Sequence, residues 1–246
     1  MAQPGTSWIY GANFELLSRL VERISGAPSL GAYMKEHIFG PLGITQATFH
    51  LASSPDMQDQ IMDMSTRDVD GKVVPSALEN WWKDRTFDSG GAGLYITPGE
   101  YAKVLCAILR NDGALLKPAT MELLFEPQLG PEVQQTFEST LYDNGGAPVF
   151  SSGLPRGART TQALGGTVCR EDVYGGVNGG EGKRRNKGSL NWGGLPNMLW
   201  MVDREKGVGM VWGTQLMPTG DVRVLDGWRR AEEALYASNL REAREG

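Results

Sequence analysis

Two cysteines and two histidines are the only residues of these types among the 246, although both are common zinc ligands. Cys106 and Cys169 form no CxxC pair, and His37 and His50 lack the HxxxH spacing of metal-binding helices. We therefore predict that the chain has no metal site.

Long hydrophobic runs are also missing. No stretch of 18 consecutive apolar residues occurs, which excludes a typical transmembrane helix and predicts no membrane partner. The first residues lack a basic segment followed by an apolar one, so we expect no signal peptide and a cytoplasmic location. The net charge of −5 argues against nucleic acid as a partner.

Several catalytic motifs are absent too. The sequence has no G-x-S-x-G and no G-x-x-x-x-G-K-[ST], which excludes the nucleophile elbow of an α/β-hydrolase and a P-loop. The glycine-rich residues 175–180 lack the G-x-G-x-x-G order of a dinucleotide fold, so no cofactor is expected. With only His37 and His50 available, a Ser-His-Asp triad is not favoured either.

What the sequence does contain is turns and amphipathic helices. Its 33 glycines and 13 prolines predict many loops, and its 40% hydrophobic and 22% charged residues are typical of a globular protein. Apolar residues at helical spacing predict helices over 13–25 and 29–39, the first with one apolar face. A capping box at 97–100 predicts a third helix, and a last helix is expected over about 221–240.

Short β-rich segments come late in the chain, at residues 189–193, 198–202 and 208–215. Helices followed by antiparallel strands and a closing helix predict an α/β fold of the α+β type, with an antiparallel sheet flanked by helices. We predict a single domain over 1–246. Its parts are a helical part over about 13–125, a loop-rich part over about 126–187, and a sheet with a C-terminal helix over about 188–240.

Two short motifs are candidates for chemistry. The first, at residues 4–13, places Tyr10 in a turn just before a helix. The second, at 188–197, is a strand that ends in Trp192-Gly193-Gly194. Taken alone, Tyr10 is interpreted as a packed aromatic residue, and the paired glycines as a bend where two backbones approach closely.

Five sequence blocks in a fixed order change this interpretation. They are Pro-Gly-Thr-x-x-x-Tyr at 4–10, Leu-Val-Glu-Arg-Ile-Ser-Gly at 20–26, Ile-Phe-Gly-Pro-Leu-Gly-Ile at 38–44, Ser-Gly-Gly-Ala-Gly-Leu-Tyr-x-Thr-Pro-Gly-Glu-Tyr at 89–101 and Trp-Gly-Gly-Leu-Pro-Asn at 192–197. With them, roughly residues 4–240 resemble the serine β-lactamase-like hydrolases of the class C type. The nearest resemblance is to the fungal esterase and transesterase branch, which includes acyltransferases of polyketide pathways. It implies a β-lactamase/transpeptidase-like fold.

The resemblance also implies roles for the two motifs. In this family an acyl-enzyme forms on the serine of a Ser-x-x-Lys, a tyrosine assists as a base when an ammonium lowers its pKa, and a backbone N–H stabilises the oxyanion. Tyr10 matches the tyrosine. Trp192, Gly193 and Gly194 match Lys-Thr-Gly, and the amide of Leu195 is the expected oxyanion donor. Because an indole replaces the lysine that pairs with a carboxylate, we expect an uncharged acyl group and ester or thioester chemistry rather than β-lactam hydrolysis.

One family motif is not found. No serine of the sequence begins a Ser-x-x-Lys, and the chain starts at the family's tyrosine motif, so we expect the nucleophile-bearing N-terminal part to be missing. Loss of a nucleophile removes most of a catalytic effect, so we predict that this chain alone is inactive. Loss of the strands that, by resemblance, pair beside 208–215 would leave an unpaired apolar edge and a bare helix face, and hence low solubility.

A basic cluster, Lys183, Arg184 and Arg185, precedes the second motif. It is interpreted either as a solvated loop or as an anion contact. The anion would be the phosphate of a phosphopantetheine arm or of coenzyme A, which would make an acyl carrier protein a partner.

The sequence thus predicts an acyl-serine esterase or acyltransferase of fungal secondary metabolism. Its substrates would be a small-molecule acyl donor and an alcohol acceptor. Two alternatives stay open: a non-catalytic member of the same fold that binds an acyl ligand or a partner protein, and a truncated gene product without an independent role.

Overall fold

The computed structural model describes residues 2–77, 86–142, 150–175 and 182–238. Residues 176–180 of the glycine-rich stretch and residues 239–240 of the predicted last helix lie outside the described residues.

The helices of the described residues include the four that the sequence predicts. They are α1 (Asn13–Ser25), α2 (Leu30–Met34, continued by a π-helical turn over Lys35–Phe39), α3 (Pro55–Gln58), α4 (Pro98–Arg110), α5 (Pro118–Leu123), α6 (Pro131–Tyr142) and α7 (Val222–Ala237). The threonine of the capping box acts as predicted, since Thr97 Oγ1 accepts from the N–H of Glu100. No described helix combines the length and the apolar character needed to cross a membrane.

The strands form one central sheet and three small ones. In chain order they are β1 (Ala47–Thr48), β2 (Ser65–Arg67), β3 (Val73–Pro75), β4 (Tyr95–Ile96), β5 (Thr160–Ala163), β6 (Gly166–Cys169), β7 (Val173–Tyr174), β8 (Lys183–Arg185), β9 (Leu190–Gly194), β10 (Met198–Asp203), β11 (Val208–Trp212) and β12 (Leu216–Met217). The central sheet has the order β11-β10-β9-β6-β5, and each neighbouring pair is antiparallel. The three predicted strands are β9, β10 and β11, with ends shifted by up to three residues.

Helices cover both faces of this sheet. Leu199 and Met201 of β10 pack with Leu225 and Trp228 of α7 in a buried cluster. Trp200 lies between them in sequence and therefore points to the opposite face, where its ring is 6.5 Å from that of Tyr101 in α4. The predicted antiparallel sheet flanked by helices is thus confirmed.

The loop-rich part predicted over 126–187 is the least accurate prediction. The structure places α6 there, together with β5 and β6, which are two of the five central strands. These strands have four residues each and are buried on both faces, so they lack the alternating pattern that reveals a half-buried strand.

The apolar face predicted for α1 exists, but it points to solvent. Of its predicted residues, Phe14, Leu17, Leu20 and Ile24 are between 48% and 78% exposed and Val21 is partly buried, while Ser18 is the buried residue of the helix. Gly90 gives that serine room, because a Cβ at position 90 would lie 2.2 Å from Ser18 Oγ. In the described residues, α1 thus presents an apolar face that is exposed to solvent.

The predicted sheet edge is confirmed as well. Within the described residues, β11 has a hydrogen-bonded neighbour strand on one side only. Its other side is an open edge of the central sheet, and exposed edges of this kind favour pairing with other chains.

Candidate active site

Tyr10 lies in the irregular segment that precedes α1. The N–H of Trp8 donates to Thr136 Oγ1 of α6 at 2.7 Å, and the Trp8 ring meets the Phe137 ring edge to face, with centroids 5.1 Å apart. Two residues later, the Tyr10 ring stacks on Trp8 at 6.4 Å. Tyr10 itself is 56% exposed. The segment is thus held by Trp8, while the phenol stays accessible.

Trp192 of β9 lies beside Tyr10. Their ring centroids are 6.4 Å apart, and the Phe150 ring lies against both, 4.8 Å from Tyr10 and 5.0 Å from Trp192. The structure therefore brings the two candidate motifs together, although they come from opposite ends of the chain. We call these three rings the aromatic triplet.

The tip of the β9–β10 hairpin carries Gly194 and Leu195. Gly194 pairs with Met198 in the register of the hairpin, and Leu195 is 40% exposed. Thr219 Oγ1 donates to the carbonyl of Leu195 at 2.6 Å. Leu195, the residue expected to supply the oxyanion donor, therefore lies at an accessible tip. Thr219, which is not part of the hairpin, fixes the backbone there.

Asn197 fixes the same tip, and the sequence analysis gave it no role. It is buried and has a φ of 58°, in the left-handed region that asparagine tolerates. Its Nδ2 donates to the carbonyls of Leu216 and Pro218 at 2.7 and 2.9 Å, and its Oδ1 accepts from the N–H of Gly220 at 2.6 Å. Its position after Pro196 in the last sequence block was the only available signal.

Phe150 and Ser152 were also missed, and no local pattern marks either of them. Ser152 is fully buried, and its hydroxyl donates to the carbonyl oxygen of Trp192, with the carbonyl of Trp200 also within 3.2 Å. These two tryptophans are register partners in β9 and β10. The segment that begins at Phe150 therefore contacts both the ring and the backbone of Trp192.

The basic cluster is a strand rather than a loop, and both earlier interpretations of its two arginines are wrong. Arg184 and Arg185 are at most 1% exposed, and both guanidinium groups pair with the buried carboxylate of Glu232. They cannot contact an external phosphate. Lys183 pairs with Asp172 at 2.7 Å, and this hydrogen bond raises the pKa of its ammonium group.

Neither the buried thiol of Cys169 nor the two histidines substitute for the family's serine nucleophile. Burial raises the pKa of the Cys169 thiol to about 12, so that it stays protonated at neutral pH. His50 pairs with Asp88 at 2.6 Å, and His37 packs against Tyr33. Burial acts to raise the pKa of Asp88, but hydrogen bonds from Gly31, Ser29 and His50 together outweigh it and keep this pKa below its usual value. Within the described residues, no three His, Cys, Asp or Glu side chains are grouped as metal ligands would be.

Comparison with known proteins identifies the family. A family model described as Beta-lactamase matches residues 1–235. The chain belongs to the beta-lactamase family. The resemblance predicted from the five sequence blocks is thereby confirmed.

The relatives within the beta-lactamase family include fungal acyltransferases and esterases. Monacolin J acid methylbutanoyltransferase of Aspergillus terreus is 38% identical over 239 residues, which are 95% of this chain and 55% of the relative. Lovastatin esterase of Penicillium rubens is 34% identical over 215 residues, which are 85% of this chain and 51% of the relative. The chain spans about half the length of the curated relatives it matches.

A solved structure agrees with the described fold. Unliganded simvastatin synthase (LovD) of Aspergillus terreus matches 97% of this chain and 56% of its own, with a TM-score of 0.84 and 35% identity. A beta-lactamase of Mycobacterium bovis, at 17% identity and a TM-score of 0.59, shares the fold alone. The β-lactamase/transpeptidase-like fold of this family member is therefore confirmed.

Proposed function

We propose that this chain is the acyl-binding part of an acyl-serine acyltransferase or esterase, and that the enzyme acts in fungal secondary metabolism. The observation that carries the proposal is the aromatic triplet, in which an accessible phenol lies beside an apolar wall and near the glycine-tipped hairpin. Such a surface can bind an apolar acyl group and present one exchangeable proton to it.

Tyr10 is proposed as the proton-transfer group. A phenol has an ordinary pKa near 10 and becomes an effective base at neutral pH only when a neighbouring cation stabilises the phenolate. By family resemblance, that cation is the lysine of Ser-x-x-Lys, one helical turn from the attacking serine. The 246 residues contain no such motif, so we propose that the attacking serine and its lysine come from outside them and that this chain alone is inactive.

Trp192 is proposed to select the acyl group. An indole offers apolar area and no formal charge, so it favours an uncharged aliphatic acyl group over a carboxylate-bearing β-lactam. The name of the Aspergillus terreus relative describes methylbutanoyl transfer to monacolin J acid. By analogy we propose a short branched acyl donor and an alcohol acceptor for this enzyme.

The donor is proposed to be recognised through its acyl group. With Arg184 and Arg185 buried, the basic cluster no longer supports a contact with a phosphopantetheine arm or coenzyme A. An acyl carrier protein remains a proposed partner only through the thioester chemistry of the family, and other residues would have to contact it.

The second candidate is a non-catalytic protein that binds an acyl ligand. The missing Ser-x-x-Lys favours it, because the aromatic triplet could bind a ligand without any nucleophile. This candidate predicts that adding a nucleophile-bearing segment creates no activity that depends on Tyr10.

A fusion protein separates the two candidates. The part of the Aspergillus terreus methylbutanoyltransferase that this chain does not match is joined to the chain, and turnover of p-nitrophenyl 2-methylbutanoate is measured with and without an alcohol acceptor. We expect turnover by the fusion and none by the unmodified chain. Tyr10→Phe should lower kcat of the fusion by at least about 100-fold, because a positioned proton-transfer group contributes a factor of this order.

Tyr174→Phe is the matched control, since Tyr174 is another tyrosine with a similar exposure. It should leave kcat unchanged. Full activity of the Tyr10→Phe fusion would contradict the proposed catalytic role, and steady turnover by the unmodified chain that is lost in Tyr10→Phe would contradict its inactivity.

A further inference from the structure

A buried ionic cluster joins β8 to α7. Arg184 Nη2 is 2.6 Å from Glu232 Oε2, and Arg185 Nε is 2.6 Å from Glu232 Oε1. All three side chains are almost completely inaccessible to solvent. Two buried cations share one carboxylate, and buried charge of this kind is costly unless further hydrogen bonds compensate it.

Three successive carbonyl groups provide that compensation. Arg185 donates to the carbonyls of Ser151 and Ser152 at 3.2 and 2.8 Å, and Arg184 donates to the carbonyl of Gly153 at 3.2 Å. The cluster therefore binds the backbone of one short segment, residues 151–153.

This segment has an unusual backbone. Ser152 has a φ of 44° and Gly153 a φ of 71°, so two consecutive residues lie in the left-handed region. Serine adopts that conformation uncommonly, and strained residues of this kind concentrate at functional sites. A Cβ at position 153 would meet Trp228 of α7 at 3.2 Å, so the turn is also packed closely against that helix.

The same segment holds two members of the aromatic triplet. Phe150 comes directly before it and packs against both Tyr10 and Trp192. Ser152 Oγ donates to the carbonyl of Trp192. A displacement of the segment would therefore move the Phe150 ring and release the backbone of Trp192 at once.

We propose that Arg185, oriented by Glu232, is a positioning residue of the acyl-binding site: by holding the carbonyls of Ser151 and Ser152, it sets Phe150 and Trp192 in the geometry that binds the acyl group. This inference rests on the proposed function, because it takes the ligand of the site to be an acyl group. It makes α7 part of the site's specificity, although Glu232 of α7 reaches the aromatic triplet only through the guanidinium group and the turn.

Two substitutions test the proposal in the full 246-residue chain. Arg185→Lys keeps the charge but removes the planar fork that reaches Glu232 and both carbonyls together. Ser152→Gly keeps a backbone that tolerates a positive φ and removes the hydroxyl bonds to the carbonyls of Trp192 and Trp200. The control is Tyr236→Phe, which removes a hydrogen bond from the same helix to Asp203 and leaves the bonds of Arg185 to the two carbonyls in place.

The ligand is a ketone analogue of a 2-methylbutanoyl thioester, in which a methylene group replaces the sulfur. We expect its dissociation constant, measured by calorimetry, to rise at least about tenfold in Arg185→Lys and Ser152→Gly and to stay within twofold in Tyr236→Phe. Thermal unfolding shows whether each variant is folded at the binding temperature. Unchanged affinity in folded Arg185→Lys and Ser152→Gly, or an equal loss in the control, would overturn the proposal.

A second readout does not depend on the proposed function. The chain is labelled with 5-fluorotryptophan, and the Trp192 signal is assigned by its loss in Trp192→Phe. We expect the ¹⁹F shift of Trp192 to change in Arg185→Lys and Ser152→Gly and not in Tyr236→Phe. If the wild-type chain binds no analogue but this shift responds, the proposed function fails and the positioning role stands. An unchanged shift in both variants would overturn the positioning role itself.

Discussion

Trp192 shows what a short motif can and cannot reveal about a site. Tyr10 and Trp192 were found because each belongs to a local block with fixed spacing. Phe150 touches both rings, yet it could not be found in this way, because its contacts join segments that are distant in sequence. The basic cluster was misinterpreted for a related reason. The sequence shows that Arg184 and Arg185 are basic, but it does not show that both pair with Glu232 in the interior of the protein.

Replacement of Trp192 by phenylalanine should shift acyl specificity in the fusion protein. In the proposed acyl-binding site a smaller ring leaves more room for the acyl chain, and each methylene group accommodated changes the transition-state energy by about 1–3 kcal/mol. We expect the ratio of kcat/KM for a six-carbon acyl ester to that for a four-carbon one to rise about tenfold, at a stability cost of about 1 kcal/mol.

Trp212→Phe is the control for this experiment, because Trp212 packs in the cluster against α7 rather than in the triplet. It should leave the ratio unchanged. An unaltered ratio in Trp192→Phe would show that the indole does not line the acyl pocket.

The helix α7 connects distant elements of the fold. At its N-terminus, Asp221 accepts from the N–H of Val224 at 3.0 Å and pairs with Arg67 of β2 at 2.5 Å. Further along the helix, Glu232 binds the two arginines of β8. The capping position was near the predicted start of this helix, but the ion pair to β2 depends on tertiary contacts that no local pattern encodes.

Asp221 should make stability depend on pH. The hydrogen bond from Arg67 holds the pKa of Asp221 below its usual value. A carboxyl group with a lowered folded-state pKa stabilises the protein above its unfolded-state pKa, near 4, and this contribution is lost as pH falls through the folded-state pKa. We expect Asp221→Asn to lower the free energy of unfolding at pH 7 by about 1–3 kcal/mol, and to lower it less at pH 3.

Urea denaturation between pH 3 and pH 7 measures this effect. Asp226→Asn is the control, because Asp226 forms an exposed pair with Arg230 in the same helix and should contribute at most about 0.5 kcal/mol. An equal loss of stability for Asp221→Asn at pH 3 and pH 7 would exclude the Arg67 pair as its cause.

Helices and strands could be predicted from the sequence only where capping residues or regular apolar spacing mark them locally. Helix α4 has a capping threonine, a proline at its first position and a regular apolar spacing, and it was predicted correctly. Strands β5 and β6 carry Thr160, Thr161 and Thr167 into the interior, where the hydroxyl of Thr161 donates to Gln134 Oε1 at 2.7 Å. Their short, polar sequences are typical of loops, and only the completed sheet reveals them.

The molecule as described leaves apolar surface exposed at one helix. Five of the six apolar residues of α1 are exposed to solvent, while Glu15 and Glu22 turn inward and bind Ser89 and the N–H of Leu30. A continuous exposed apolar surface favours association between chains. Together with the open edge at β11, it gives a physical reason for the low solubility predicted from the sequence.

Replacing Leu16 and Ile24 by lysine should raise solubility. Both side chains are more than 70% exposed, so the substitutions bury no charge and should change the melting temperature by less than about 3 °C. Precipitation with ammonium sulfate measures the increase in solubility. Leu164→Lys is the control, since Leu164 is an exposed leucine in the β5–β6 turn. A large fall in melting temperature would mean that the α1 face is buried in the folded chain.

The central claim is that Tyr10 and Trp192 line one acyl pocket. Saturation-transfer NMR tests it most directly, with the chain deuterated except for its tyrosine rings in one sample and except for its tryptophan rings in another. We expect both samples to transfer magnetisation to the methyl protons of the ketone analogue, with the signal lost on Tyr10→Phe in the first and on Trp192→Phe in the second. Transfer from one sample only, or transfer that survives both substitutions, would contradict a shared pocket.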